Sequence, residues 1–146
     1  MSEGRRHNAR VEQILTAIKD KDSKAIKSLF SKKALIEAND FDDGIDYFFD
    51  FIQGDIDSWE KHGWAYDGSI KSGKKSMIIR LGVTISTDKD DYALSVIDYN
   101  MDTTNPDNEG VYMLHITRMA DMAKKPSWQD GLHAGIYRPE AYRQAI

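Results

Sequence analysis

The chain has 146 residues, of which 40% are apolar and 30% charged, and its formal net charge is −4. This length predicts one domain with a hydrophobic core of its own. The absence of cysteine excludes disulfides, zinc–thiolate centres and a cysteine nucleophile. The mildly acidic balance argues against a dedicated nucleic-acid-binding protein, and no apolar run is long enough to span a membrane as a helix.

The first ten residues are polar and charged. We therefore interpret residues 1–10 as a flexible N-terminal tail and residues 11–146 as a single domain. The tail lacks the apolar centre of a signal peptide. Two locations stay open for the protein: the cytoplasm, or the cell surface if the chain is the mature part of an exported lipoprotein.

Apolar spacing predicts three helices in the first 60 residues. Apolar residues recur at i, i+3, i+4 and i+7 in residues 11–18, and a similar pattern runs through 25–38. From Phe41 to Trp59 an apolar residue follows every three or four positions, which predicts a long third helix. We expect Gly54 to break or kink this helix near its end.

After residue 60 the apolar pattern changes to the period of two that is typical of strands. It predicts four strands, over residues 64–70, 77–86, 92–101 and 111–119. Helices followed by adjacent strands indicate an α+β fold. The expected architecture is three N-terminal helices packed on a curved antiparallel sheet of about four strands.

Charge is distributed unevenly along the chain. Residues 1–33 carry nine Lys and Arg against four Asp and Glu, whereas residues 34–63 carry one lysine against nine carboxylates. The acidic block coincides with the predicted third helix. It is either the solvated face of a helix packed beside the basic first helices, or a surface that steers a basic partner.

Several stretches resemble a known family. Residues 14–22 and 25–31 resemble the start of nuclear-transport-factor-2-like, or cystatin-like, domains. More specifically, the chain is similar to a group of uncharacterised small lipoproteins of Gram-positive bacteria, through residues 29–35, 45–54, 97–99, 102–110, 128–130 and 135–137. The resemblance implies a cone closed by the sheet and the long helix. Such cones serve isomerases, dehydratases and non-enzymatic binding domains, so the resemblance implies no particular catalytic residues.

The predicted sheet holds one candidate catalytic pair, Asp98 and His115, on neighbouring strands. Arg80, Tyr99 and Tyr112 lie nearby and would line the same pocket. A buried Asp–His pair could serve as a general base and its orienting group. The alternative is a histidine on the sheet surface and an aspartate that pairs with Arg80. No motif for a metal, a phosphate-binding loop or a serine nucleophile occurs, and we predict neither metal nor cofactor.

The function that this sequence favours is non-enzymatic binding of a protein partner through an acidic helix surface flanked by aromatic residues. An immunity protein or inhibitor that covers the basic active site of a toxin has this character. The expected contact residues are Asp42, Asp43, Asp46, Asp50, Tyr47 and Phe51. The alternatives are a small-ligand-binding or accessory domain of a cell-envelope lipoprotein and, less favoured, a cone-type enzyme. Association of two copies through the open sheet face is a further option.

Overall fold

A computed structural model describes residues 3–38, 40–121 and 133–137. In these ranges the elements are α1 (Glu3–Lys19), α2 (Ser23–Leu29), α3 (Lys32–Glu37), α4 (Phe41–Phe51), β1 (Ile56–Lys71), β2 (Lys74–Thr87), β3 (Asp91–Asp102), β4 (Gly110–Arg118) and β5 (Gly135–Ile136). None of the helices in this part of the chain is long and apolar enough to cross a membrane.

The strands form one sheet in the order β1-β2-β3-β4-β5. Strands β1 to β4 pair antiparallel with their neighbours, and β5 pairs parallel with β4. The sheet is therefore mixed, which corrects the expected antiparallel sheet of about four strands. The fifth strand was missed because it is only two residues long and lies in a segment without apolar periodicity.

The described residues contain four helices where three were expected. The expected second helix is divided at Phe30 and Ser31, which are extended and reach β4 through the hydrogen bond from Ser31 N to Val111 O. Ser31 then caps the next helix, because its Oγ accepts from Ala34 N at 3.0 Å. The apolar spacing of residues 25–38 is continuous, but a helix cap and one tertiary contact divide the segment into two helices.

The expected third helix is also shorter than predicted, since it ends at Phe51. Gly54 adopts φ +87°, a conformation that other residues rarely take. Gln53 N donates to the hydroxyl of the buried Tyr92 instead of continuing the helix. Ile56 and Trp59, which extend the helical pattern, belong to β1.

All four helices contribute to a core against one face of the sheet. That face, called the inner face below, carries the aligned residues Leu81, Val96 and Leu114. They belong to the same buried cluster as Ile14 of α1 and Phe48 of α4. The opposite, outer face carries a smaller apolar cluster.

The segment expected to be a flexible tail is helical from Glu3 onward. His7, in the second turn of α1, is 3% exposed. The apolar face of this helix extends one turn further toward the N-terminus than the residues used to predict it. Burial of His7 against β1 is what continues the helix into a polar sequence.

Candidate functional site

The surface of α4 carries two parallel rows of side chains spaced four residues apart, as neighbours on a helix are. One row holds three exposed carboxylates, and the adjacent row holds one exposed carboxylate and two half-buried aromatic rings. We call these six residues the acidic face of α4: Asp42, Asp46 and Asp50 in the first row, and Asp43, Tyr47 and Phe51 in the second. They are the six residues that the sequence singled out for partner binding.

The position of Asp50 runs against helix stability. Asp42 and Asp43 lie in the first turn, where carboxylates interact favourably with the helix dipole. Asp50 lies in the last turn, which contains no basic residue, and there a negative charge is unfavourable. Helix stability therefore accounts for the acids at the start of α4 but not for the acid at its end.

Little in the described chain neutralises the acidic face. Lys27 Nζ lies 3.6 Å from Asp42 Oδ1, and the two side chains are 50% and 83% exposed. Such an exposed pair contributes little free energy. Lys27, Leu35 and Phe41 line an open cleft of about 410 Å³ beside the first turn of α4. Asp40, Asp42 and Asp43 also line it, so the acidic face adjoins a mostly polar cleft to which Leu35 and Phe41 add apolar surface.

The two aromatic rings of the acidic face are held in place from below. Their ring centres lie 5.7 Å apart, and Phe51 meets Tyr92 edge-on at 5.8 Å. Tyr47 and Phe51 both pack against the main core, and each keeps part of its side chain accessible. A partner would therefore meet rings that lose little conformational freedom on contact.

The predicted catalytic pair is not assembled, because Asp98 and His115 lie on opposite faces of the sheet. His115 is aligned with Ser95, three residues from Asp98 on β3, and side chains an odd number of positions apart point to opposite faces. Asp98 is aligned with Ile79 of the inner face and reaches α1. The hypothesis of one cavity holding both side chains is wrong.

The other three predicted pocket residues all neighbour the outer cluster rather than Asp98, and two of them are in ring contact with each other. Arg80 is exposed and aligned with Ile97 of the outer cluster, so it does not pair with Asp98. Tyr99 and Tyr112 lie 5.4 Å apart between ring centres. The Tyr112 hydroxyl donates to Glu37 Oε2 at 2.6 Å. Burial and this carboxylate both raise the pKa of Tyr112 above its ordinary value.

Asp98 belongs instead to an inner polar cluster formed by His7, Arg10, Tyr66 and Asp98. Arg10 Nε donates to Asp98 Oδ2 at 2.9 Å, and His7 Nε2 shares a hydrogen bond with the Tyr66 hydroxyl at 3.1 Å. His7 and Asp98 are 3% and 5% exposed. These contacts tie α1 to β3 and to β1. Continuing the α1 spacing from Val11 back to His7 would have placed His7 on the buried face of the helix, although not its contacts with the strands.

His115 is buried on the outer face beside an aromatic ring. It is 2% exposed, and its ring lies 5.2 Å from that of Tyr137. Burial lowers the pKa of His115 to about 4. The imidazole is therefore neutral at neutral pH. It packs against Tyr137 of the outer cluster and is out of reach of Asp98.

The acidic loop between β3 and β4 has a structural explanation. Asp102 is 8% exposed, and its carboxylate accepts from Asn108 Nδ2, Thr104 N and Asn105 N. These hydrogen bonds, the one from Asn108 first, hold the pKa of Asp102 below its ordinary value. Across the described ranges no three His, Asp or Glu side chains lie where they could share a metal ion.

Comparison with known proteins gives a family but no activity. No curated protein matches the chain. The model of a domain of unknown function, DUF5104, matches residues 13–120, which are well over half of the chain. This match supports neither the nuclear-transport-factor-2-like name nor the lipoprotein group that the sequence resembles. Helices α2 to α4, the acidic face and strands β1 to β4 lie within the matched residues and α1 lies partly within them, and the chain belongs to the DUF5104 family.

Proposed function

We propose that this domain is a non-enzymatic binding module whose acidic face of α4 docks a basic protein partner. The observation that carries the proposal is the pair of side-chain rows on α4, exposed carboxylates beside half-buried rings. Carboxylates at a rim accelerate encounter with a basic surface, and pre-ordered aromatic rings supply contact area once the partner arrives.

The positions of the carboxylates on α4 favour a role in partner binding over a role in helix stability. Asp46 and Asp50 are exposed, and Asp50 opposes the dipole of its own helix. A helix selected for stability alone would carry a basic residue in this last turn. Asp46 and Asp50 are explained if they stabilise a complex with a positively charged surface rather than the helix itself.

The partner class that fits this face is a protein with a basic cleft, as in a toxin that an immunity protein inhibits. Its cationic side chains would lie along Asp42, Asp46 and Asp50. The cleft lined by Asp40, Asp42, Asp43, Leu35 and Phe41 suits a cationic side chain with an aliphatic stem. An acidic inhibitor of this kind needs no catalytic group of its own.

The test is capture of a partner with three forms of the full chain. One is the wild type, and the second carries Asp42→Lys, Asp46→Lys and Asp50→Lys. The third is a control that changes three other exposed carboxylates and alters the net charge equally: Glu12→Lys, Asp20→Lys and Asp67→Lys. Cross-linked complexes are recovered from the source cells, and the affinity of any purified partner is measured at two salt concentrations.

We expect the wild type and the control to bind a basic protein stoichiometrically, with an affinity that falls as salt rises. The α4 variant should lose this binding. The proposal fails if no stoichiometric partner is recovered, or if the α4 variant binds the partner as well as the control does.

A further inference from the structure

The molecule has a second charged surface at the far end of its longest hairpin. Strands β1 and β2 are joined by a two-residue turn, Ser72–Gly73, whose φ angles of 52° and 77° suit a tight hairpin. Beside this turn lie four exposed residues that we call the hairpin tip: Ile70, Lys71, Lys74 and Lys75. The register places Ile70 and Lys75 on one side of the hairpin and Lys71 and Lys74 on the other, so the tip carries three lysines and one exposed apolar side chain.

The positive charges of the hairpin tip destabilise the hairpin. Lys71 and Lys74 are aligned directly across the two strands, and like charges in this position destabilise a hairpin. Ile70, which is aligned with Lys75, is 71% exposed. Neither the paired lysines nor the exposed isoleucine stabilises the fold, so both are better explained by a contact outside the chain.

Acidic groups near the hairpin tip do not cancel its charge. Residues 61–87 contain five Lys and Arg and one carboxylate, Asp67. In the adjacent β3–β4 loop, Asp107 lies 3.7 Å from Lys32, and Glu109 accepts from Asp102 N. The carboxylate of Asp102 accepts from groups of its own loop. Within the described ranges no ion pair involves Lys71, Lys74 or Lys75, and all three side chains are exposed to solvent.

The hairpin tip and the C-terminal end of α4 lie at opposite ends of the sheet. β1 starts a few residues after α4 ends and runs for 16 residues to the tip, a strand length of about 50 Å. The β2–β3 turn, with Asp88, Asp90 and Asp91, lies at the α4 end. An anionic surface would thus attract one end of the molecule and repel the other.

We propose that the hairpin tip docks the domain on an anionic phospholipid surface, with the acidic face of α4 pointing away from the lipid. Lysines flanking a single exposed aliphatic residue match the interface of such a surface, where the ammonium groups meet phosphates and the isoleucine enters the headgroup region. A second copy of the chain fits less well. Contact between the tip of one copy and the acidic face of the next would not close and would build open chains of molecules.

The experiment is flotation of the full chain with phosphatidylcholine vesicles that contain or lack phosphatidylglycerol, at low and high salt. The tip variant carries Lys71→Glu, Lys74→Glu and Lys75→Glu. Its control reverses three exposed lysines away from the tip: Lys19→Glu, Lys24→Glu and Lys89→Glu. Ile70→Ser is compared with Ile36→Ser, since Ile36 is 83% exposed on α3. Circular dichroism checks that each variant is folded.

We expect the wild type to bind only the anionic vesicles and to lose that binding at high salt. The tip variant should bind at least about 100-fold more weakly, because each lysine near an anionic surface contributes about fivefold to the affinity. The lysine control and Ile36→Ser should bind like the wild type, and Ile70→Ser more weakly.

The proposal is overturned if the wild type does not bind anionic vesicles at low salt, or if the tip variant binds them as well as its control. It is also overturned if the chain forms oligomers without lipid that both the tip variant and the α4 variant dissolve. The α4 variant should keep its vesicle binding, so this proposal and the proposed function can fail independently.

Discussion

The two faces of the sheet accommodate buried ionisable groups in different ways. On the inner face, the buried Asp98 has a cation, Arg10, at 2.9 Å. On the outer face, His115 is equally buried among apolar and aromatic neighbours, and its pKa falls to about 4. The inner face thus places a cation beside its buried carboxyl group, whereas on the outer face burial lowers the pKa of a histidine.

The largest expected effect comes from removing the cation of the inner face. In the described part of the chain, Asp98 Oδ1 has no hydrogen-bond donor, and Arg10 donates to Oδ2. Arg10→Ala therefore leaves the buried carboxylate without the donor to its second oxygen as well. Breaking a fully buried ion pair costs about 3–5 kcal/mol of unfolding free energy, and because the Arg10 side chain is 25% exposed we expect a loss at the lower end of this range. Urea unfolding at neutral pH measures the loss.

Two further variants sharpen this test. Arg10 also donates to Gln13 Oε1 in an exposed hydrogen bond. Gln13→Ala removes this bond and should change the unfolding free energy by less than about 0.5 kcal/mol. The double variant Arg10→Met and Asp98→Leu should recover most of the lost stability, since an apolar pair can replace a buried ion pair. A double variant as unstable as Arg10→Ala would contradict the electrostatic explanation.

On the outer face the expected effect depends on pH. The folded-state pKa of His115 is about 4, below its ordinary value of 6.5, so the unfolded chain binds the extra proton between these values. The stabilisation is fully present above pH 6.5 and decreases as pH falls toward 4. The loss amounts to about 3 kcal/mol at most.

Urea midpoints between neutral pH and about pH 4.5 measure this dependence, and that range keeps clear of the window in which Asp102 takes up its proton. His115→Gln cannot titrate, so its unfolding free energy should change less over the same range. An identical pH dependence in wild type and variant would show that His115 is not the group responsible.

A smaller effect is expected for a neutral polar contact on the inner side. Ser31 is 2% exposed and caps α3 through its bond from Ala34 N. Ser31→Ala should cost about 1 kcal/mol, less than the ion pair, because no charge is left unpaired. Ser28→Ala removes an exposed hydroxyl bond to Ala25 O and is the matched control in thermal unfolding.

The smallest effects are expected for the exposed charges of α4, and their signs should differ. Asp50→Lys places a cation in the last turn and should stabilise the fold by about 0.3–1 kcal/mol. Asp42→Lys places one in the first turn and should destabilise it by a similar amount. If Asp50→Lys is also the variant that weakens partner binding, the acid is retained for binding at a cost to stability.

Sequence patterns predicted the structure best where residue spacing along the chain determines which side of a helix or strand is buried. The alternation in residues 77–86, 92–101 and 111–119 predicted β2, β3 and β4 to within a few residues at most. The spacing of four along α4 also predicted which carboxylates would be exposed. In both cases one periodicity determines which side of an element is apolar.

Patterns failed where a contact between distant residues overrides them. The apolar spacing continues from α2 into α3 and from α4 into β1, yet Val111 and Tyr92 interrupt it through hydrogen bonds to Ser31 and Gln53. The two-residue strand β5 exists only because β4 offers an edge. Periodicity carries no information about such partners.

The amino-acid sequence by itself determined the order of helices before strands, the acidic face of α4 and the charge of the hairpin tip, since these depend on residue type and local period. Only the tertiary structure decided that Asp98 meets Arg10 while His115 is buried on the opposite face. Which side chains meet across a sheet depends on register, and one position of register reverses the face on which a side chain lies.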